Sequence, residues 1–219
     1  MVGQTVNPTM SAMNPSVTTT PTKSEATAAR IIAVSRSLFV SRNYADVTTD
    51  MIAQAAEVTK GGLYHHFASK EQLYVAMMIG DLERKRQLFE QSVAAPGTCR
   101  DRLGKLTRDF LELPYEDREL TKLVRQDINT FTGVERDGLV RAYQRALPEL
   151  IEAIIADGIR DGELGAGDPR ILSWSFVALV EVVIGEYAAR VLGSTDACLD
   201  QVLNLFFDGA AAQPHGGTT

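Results

Sequence analysis

Between Thr48 and Lys70 the 219-residue chain gathers side chains suited to hydrogen bonding an anionic surface. Thr48, Thr49 and Thr59 supply hydroxyls, Lys60 and Lys70 ammonium groups, and Tyr64, His65 and His66 polar rings, while Gly61 and Gly62 leave the backbone bare to close approach. Other chemistries fit the sequence poorly. Neighbouring residues on a helix point about 100° apart, so His65 and His66 would need further metal ligands, and none is near. Cys99 and Cys198 lie far apart without a CxxC or Cys/His spacing and are expected to be reduced bystanders. The chain has no nucleophile–base constellation and no glycine-rich phosphate loop. No catalytic residue, cofactor or metal site is therefore expected.

These side chains need helices to place them. Apolar residues recur at Ala28, Ile31, Ile32, Leu38 and Phe39, a helical period that predicts a first helix from about Ser24, as N-cap, to Arg42. Asn43, a residue that tolerates the left-handed conformation, should end it. Thr48 or Thr49 then caps a short helix with Met51, Ile52 and Ala55 inward, and a break at Glu57 to Lys60 leads into a third helix, Gly61 to His66, capped by Thr59. Leu63 and Phe67, four apart, should pack inward on Ile52 and Leu38, which leaves Tyr64 and His65 facing out. Ser69 with Gln72 three residues on is a capping box that opens a longer helix to about Gln91. Further helices are expected over about Arg100–Leu113, Glu116–Phe131, Val134–Arg160 (with Pro148 as a kink or split), Asp168–Val191 and Ser194–Ala211, with stops at Gly162 and Gly193. No strand period appears. The fold class read here is all-α: a three-helix helix-turn-helix domain followed by a larger helical domain for ligand binding and dimerisation.

Two short helices joined by a tight turn describe a helix-turn-helix, whose second helix enters the DNA major groove. The run Thr48-Thr49-Asp50-Met51-Ile52-Ala53, then Val58-Thr59-Lys60-Gly61, then Tyr64-His65-His66-Phe67 and Lys70-Glu71-Gln72-Leu73 resembles the TetR family of bacterial transcriptional regulators. The resemblance covers about residues 24–75; beyond them the chain is similar only in being helical. It implies that Tyr64, His65 and His66 contact phosphates and thymine methyls, and that Thr48 or Thr49 meets a phosphate. Lys60 and Lys70, at helix starts where free N–H groups already favour phosphate, should clamp the DNA backbone. Two positions depart from the family pattern, Asn43 and Glu57, where glycine is usual. Asn43 accommodates a positive φ easily, whereas a left-handed glutamate is strained; either the turn avoids that conformation or Glu57 points away from DNA.

The whole chain carries a net charge of −6, which would oppose DNA binding, but its distribution is uneven. Residues 23–71 hold six Lys/Arg against five Asp/Glu, a net +1, and residues 72–219 a net −7. The acidity thus belongs to the larger part. Four segments are expected: 1–22 as a disordered tail, 23–71 as the DNA-binding domain, 72–212 as the helical effector-binding and dimerisation domain, and 213–219 as a second tail. One recognition helix reads too few bases, so a homodimer on a palindromic operator is expected, its interface formed by Trp174, Leu179, Val183, Tyr187, Leu199, Val202, Leu203 and Phe206. By resemblance, the helices from Arg100 to Arg160 enclose a pocket for a small, largely apolar effector, with Leu106, Phe110, Leu123, Arg125, Asn129, Phe131, Tyr143 and Trp174 as wall or anchor residues. The most economical reading is a ligand-released repressor; the rival is a helical ligand-binding protein or enzyme whose helix-turn-helix no longer serves DNA. No secretory signal or membrane-spanning run is present, so a cytoplasmic location with no membrane partner is expected.

Overall fold

Each helix of the N-terminal third begins at a threonine or serine whose hydroxyl accepts the third backbone N–H of the helix, meeting donors that the first turn leaves unpaired. In the computed structural model, which describes residues 22–209, α1 spans Lys23–Ser41, α2 Thr49–Ala55, α3 Lys60–His66 and α4 Lys70–Val93. The caps are Thr22, Thr48, Thr59 and Ser69. Thr22, not Ser24, caps α1, because Glu25 reaches back to its N–H at 2.7 Å and closes a reciprocal box. Gln72 makes the analogous return at α4, but one residue further back, accepting from the Ala68 N–H at 2.6 Å. Thr22 apart, the tails expected at 1–22 and 213–219 lie outside the described residues.

The two departures at glycine positions resolve in opposite senses. Asn43 is not left-handed; its φ is −66°, and the chain leaves α1 through a single 3-10 turn, Tyr44–Asp46, with the Asn43 amide donating to Asp46 at 3.3 Å. Glu57, between α2 and α3, does take the left-handed conformation at φ 52°, alone among non-glycine residues in the described part of the chain. The tight connection imposes this: Val58 N–H must return to the carbonyl of Ala53 while Glu57 N–H bonds that of Gln54.

The rest of the described chain is helical too: α5 Cys99–Leu111, α6 Tyr115–Asp127, α7 Gly133–Ala146, α8 Pro148–Arg160, α9 Pro169–Val183, α10 Glu186–Leu192 and α11 Thr195–Phe207. Two expected helices are each divided. Pro148 takes the first position of α8, where a missing N–H is harmless, and Leu147 breaks the helix before it. The segment expected to run from Asp168 to Val191 is interrupted at Ile184 and Gly185. Gly162 and Gly193 end their helices at φ 79° and 74°, as their residue type predicts. α5 and α8 touch so closely that a Cβ on Gly158 would stand 2.7 Å from that of Cys99, and burial pushes the Cys99 thiol up to about 11.

α4 is the common member of both parts. At about 1.5 Å per residue its 24 residues reach about 36 Å, from the head core of Ile31, Phe39, Ile52, Leu63 and Leu73 into the body, where it packs on α5, α6, α7 and α8. Two clusters join head to body along it. Phe39 and Tyr44 of the head meet Tyr74 of α4 at 4.8 and 4.9 Å between ring centres, and Phe131 closes the cluster from the body, 5.3 Å from Tyr44. The Tyr74 hydroxyl donates to Asp127 at 2.5 Å. Further along α4, the buried Lys85 ammonium donates to Asp81, to the Asp117 carbonyl and, at 2.7 Å, to Thr121. Asp81 also accepts from Arg36 of α1 at 2.9 Å and from Arg84 at 3.1 Å.

Replacing Glu57 by glycine should stabilise the head. Left-handed strain of about 1–2 kcal/mol is removed, against about 0.5–1 kcal/mol of added freedom in the unfolded chain, so a net gain of up to about 1.5 kcal/mol is expected in urea unfolding. A loss of stability would show that the turn holds Glu57 by contacts worth more than its strain.

Candidate nucleic-acid interface and ligand cavity

α2 and α3 form the outer corner of the head, with Ile52, Ala53, Ala56, Leu63 and Phe67 buried beneath them. That rotation leaves Tyr64 44% exposed and His65 exposed, as the spacing of Leu63 and Phe67 requires, with the Tyr64 hydroxyl 3.5 Å from that of Thr49. His66 is half-buried, its ring 5.3 Å from that of His65. Thr48 and Thr59 are exposed at the starts of α2 and α3, and each hydroxyl already accepts a backbone N–H of its helix. Gly61 is exposed and Gly62 half-buried, and a Cβ on Gly62 would stand 3.3 Å from the Thr59 hydroxyl and 3.7 Å from the Val58 Cβ.

The two lysines differ from each other and from expectation. Lys60 is exposed but paired with Asp50 at 2.9 Å, and this hydrogen bond raises its pKa. Lys70 turns inward: its ammonium donates to the carbonyls of Tyr44 and Val47 at 2.9 and 3.0 Å and lies 4.2 Å from the centre of the Tyr44 ring. Two of its three N–H groups thus hold the loop before α2, a role beyond the phosphate contact expected of it. The residue type at the helix start was legible; the bare carbonyls around the 3-10 turn that claim it were not.

A cavity of about 440 Å³ opens between α5, α6, α7, α8 and α9. Of the eight residues expected to form its wall, Leu106, Phe110, Arg125 and Tyr143 do so. The other four lie elsewhere. Phe131 is in the aromatic cluster at the head–body junction, Asn129 is exposed and accepts from Arg136 at 3.3 Å, Leu123 is half-buried off the cavity, and Trp174 points to solvent. The wall is completed by Gln126 and by residues the sequence reading missed: Thr107, Thr121, Lys122, Leu147, Ile151, Phe176, Val177, Val180, Glu181, Ile184 and Gly185. The i, i+4 spacing of Phe176 and Val180, and of Leu147 and Ile151, was the available signal. The lining is graded in exposure: Phe176, Leu106 and Thr107 are buried, whereas Lys122, Arg125 and Gln126 are exposed, and Arg125 pairs with Glu181.

α9 has two apolar faces. Ser173, Phe176 and Val183 are turned into the body, while Ile171, Trp174, Ala178 and Val182 form an outward stripe that Tyr187 and Val191 of α10 prolong. Trp174 and Tyr187 are thus available to a partner, at 50% and 71% exposure. Val183, Leu199, Val202 and Leu203, expected in the same interface, are instead buried within the chain, and Phe206 and Leu179 are half-buried, Phe206 edge-on to Phe176 at 5.0 Å. α11 is covered by α5 and α9 and tied to α5 by Arg108–Asp196 at 2.7 Å and Arg100–Asp208 at 3.3 Å, so its apolar stripe is already used. Among the described residues no helix is long and apolar enough to cross a membrane.

Comparison with known proteins agrees with this arrangement. The family model for bacterial regulatory proteins of the tetR family matches residues 31–77, and that for the tetracyclin repressor-like C-terminal domain matches residues 96–209. The HTH-type transcriptional repressor KstR2 of Rhodococcus jostii is 24% identical over 186 residues, which are 84% of this chain and 91% of KstR2. Among solved structures, the transcriptional regulator FadR of Bacillus subtilis in complex with stearoyl-CoA superposes with a TM-score of 0.71 at 17% identity, over 84% of this chain and 99% of FadR. AibR in complex with isovaleryl coenzyme A and operator DNA does so with a TM-score of 0.65 at 21% identity, over 83% and 98%. Head and body are each matched by a model of the same family, and the chain belongs to the TetR family of bacterial regulatory proteins, as a DNA-binding transcriptional regulator and not an enzyme.

Proposed function

We propose that this chain is a cytoplasmic homodimeric repressor that holds a palindromic operator through residues 23–71 and releases it when residues 72–212 take up an amphiphilic acyl effector. The cavity is the observation that carries this reading. Its buried lining is largely apolar and its exposed lining includes Lys122 and Arg125, of which Glu181 offsets one charge, so it suits a molecule with a hydrocarbon body and an anionic head. An acyl thioester of coenzyme A has that form. Complexes of FadR with stearoyl-CoA and of AibR with isovaleryl coenzyme A supply the analogy, and KstR2, a transcriptional repressor, supplies the sign. The outward stripe of α9 and α10 supplies the dimer face, since a single α3 reads too few bases and paired half-sites stand about 34 Å apart.

The route from cavity to DNA runs through the buried charges. Thr121 belongs to the cavity wall and accepts from Lys85; Lys85 holds Asp81; Asp81 holds Arg36 in the head. An effector that shifts α6 has to rearrange this chain of contacts, and α4 with it, which changes the separation of the two recognition helices.

Three measurements test the reading. Operator DNA recovered by genomic binding selection should be released by octanoyl-CoA, and Tyr64→Ala should weaken operator binding about tenfold or more without altering thermal stability; selection that recovers no operator would favour the rival ligand-binding reading. Val182→Asp should convert a dimer into a 23.9 kDa monomer in sedimentation, and a dimer that persists would move the interface off α9. Replacing Lys85 by Met together with Asp81 by Leu removes the two central charges of the network, and should keep both DNA and effector binding while making release insensitive to effector. Undiminished release in that variant would eliminate the charge route.

A further inference from the structure

Thr107, on α5, lines the cavity with Leu106 and Phe110. The residue is fully buried, and its hydroxyl has no hydrogen-bond partner among the described residues. Such a group is uncommon in a folded interior, because a hydroxyl stripped of water and left unpaired destabilises the protein. A threonine or serine in mid-helix ordinarily escapes by donating to a carbonyl four residues back, as Ser35 does to Ile31 at 2.7 Å and Thr27 to Lys23 at 2.9 Å in this chain. Thr107 makes no such bond. Across the same cavity stands a second buried hydroxyl, Thr121, which accepts from Lys85 at 2.7 Å and is only loosely paired as a donor, 3.3 Å from the Asp117 carbonyl. Valine at either position would have filled the same volume without a polar atom.

We infer that Thr107 is a specificity-determining residue whose partner arrives with the ligand: the occupant of the cavity carries a hydrogen-bonding oxygen, a carbonyl or hydroxyl, within its apolar body. This rests on the effector reading above and sharpens it from a hydrocarbon chain with an anionic head to an oxygenated one. A plain hydrocarbon buried against Thr107 leaves the hydroxyl unpaired in the complex as well as in the empty protein. An oxygen that moves the wall enough to reach the hydroxyl pairs it, so the hydroxyl discriminates between two ligands of nearly equal size. The empty protein, by contrast, would gain stability from losing the group.

The test uses the full chain as wild type, Thr107→Val and Thr107→Ser, with octanoyl-CoA and 3-hydroxyoctanoyl-CoA as probes. Thr107→Val should melt about 2–4 °C above wild type when empty, and Thr107→Ser close to wild type. Wild type should bind the hydroxylated probe about tenfold more tightly than the plain one, a preference that Thr107→Val abolishes and Thr107→Ser keeps. A lower melting temperature for empty Thr107→Val overturns the proposal, since the hydroxyl would then be paired and structural, and so does a probe preference that survives in Thr107→Val. Should wild type bind neither probe, the coenzyme A reading of the effector fails, while the sign of the melting shift still decides whether Thr107 lacks a partner.

Discussion

Lys85 and Asp81 stand one turn apart on α4, both withdrawn from water, and the junction of head and body rests on matching their charges. An ion moved out of water loses several kcal/mol that only well-placed partners return. Burial lowers the pKa of the Lys85 ammonium while Asp81 opposes that shift, and every one of its three protons is used, toward Asp81, the Asp117 carbonyl and Thr121. Asp81 in turn is shared with Arg36 and Arg84. Arg36 continues to Asp117 and Glu116 on α6. Helices α1, α4 and α6 therefore cannot slide a little; any displacement leaves a charge unmatched until a new set of partners is reached. A joint of this kind has discrete settings.

The aromatic cluster beside it makes the joint directional. Phe39, Tyr44, Tyr74 and Phe131 meet largely edge to face, an arrangement that favours specific ring angles over free rotation. With Tyr74 fixed to Asp127 and Lys70 fixed to the carbonyls of Tyr44 and Val47, the loop before α2 is held from the body side. The orientation of α2 and α3 is thus a property of the α4 and α6 surfaces as much as of the head's own core.

What the sequence made legible is local. The caps at Thr48, Thr59 and Ser69, the glycine stops, the inward pair Leu63 and Phe67 and the outward Tyr64 follow from residue type and helical spacing, whereas α1 is capped by Thr22 in place of Ser24 and Ala55, expected inward, is exposed. Long-range choices were not legible, because several partners were chemically acceptable and only the fold selects among them. Phe131 reads equally well as a cavity wall or a junction aromatic. Leu199, Val202 and Leu203 form a stripe that could face a second subunit or α5, and the ion pairs from Arg100 and Arg108 decide for α5. Lys70 is a cation beside a helix start by sequence, yet the carbonyls of Tyr44 and Val47 claim it. At Glu57 residue type left two alternatives open, and the hydrogen bonds on both sides select the left-handed one.

The pairing of Lys60 with Asp50 alters how many ions the head exchanges with solution. Any phosphate that recruits this ammonium takes it from a carboxylate already 2.9 Å away, so the protein brings to that point no uncompensated charge. Counterions leave the nucleic acid as it is neutralised, but the abandoned Asp50 draws a cation back from the medium. A contact of Lys60 with phosphate would then release fewer ions than an unpaired lysine would, and a rise in salt would loosen it less.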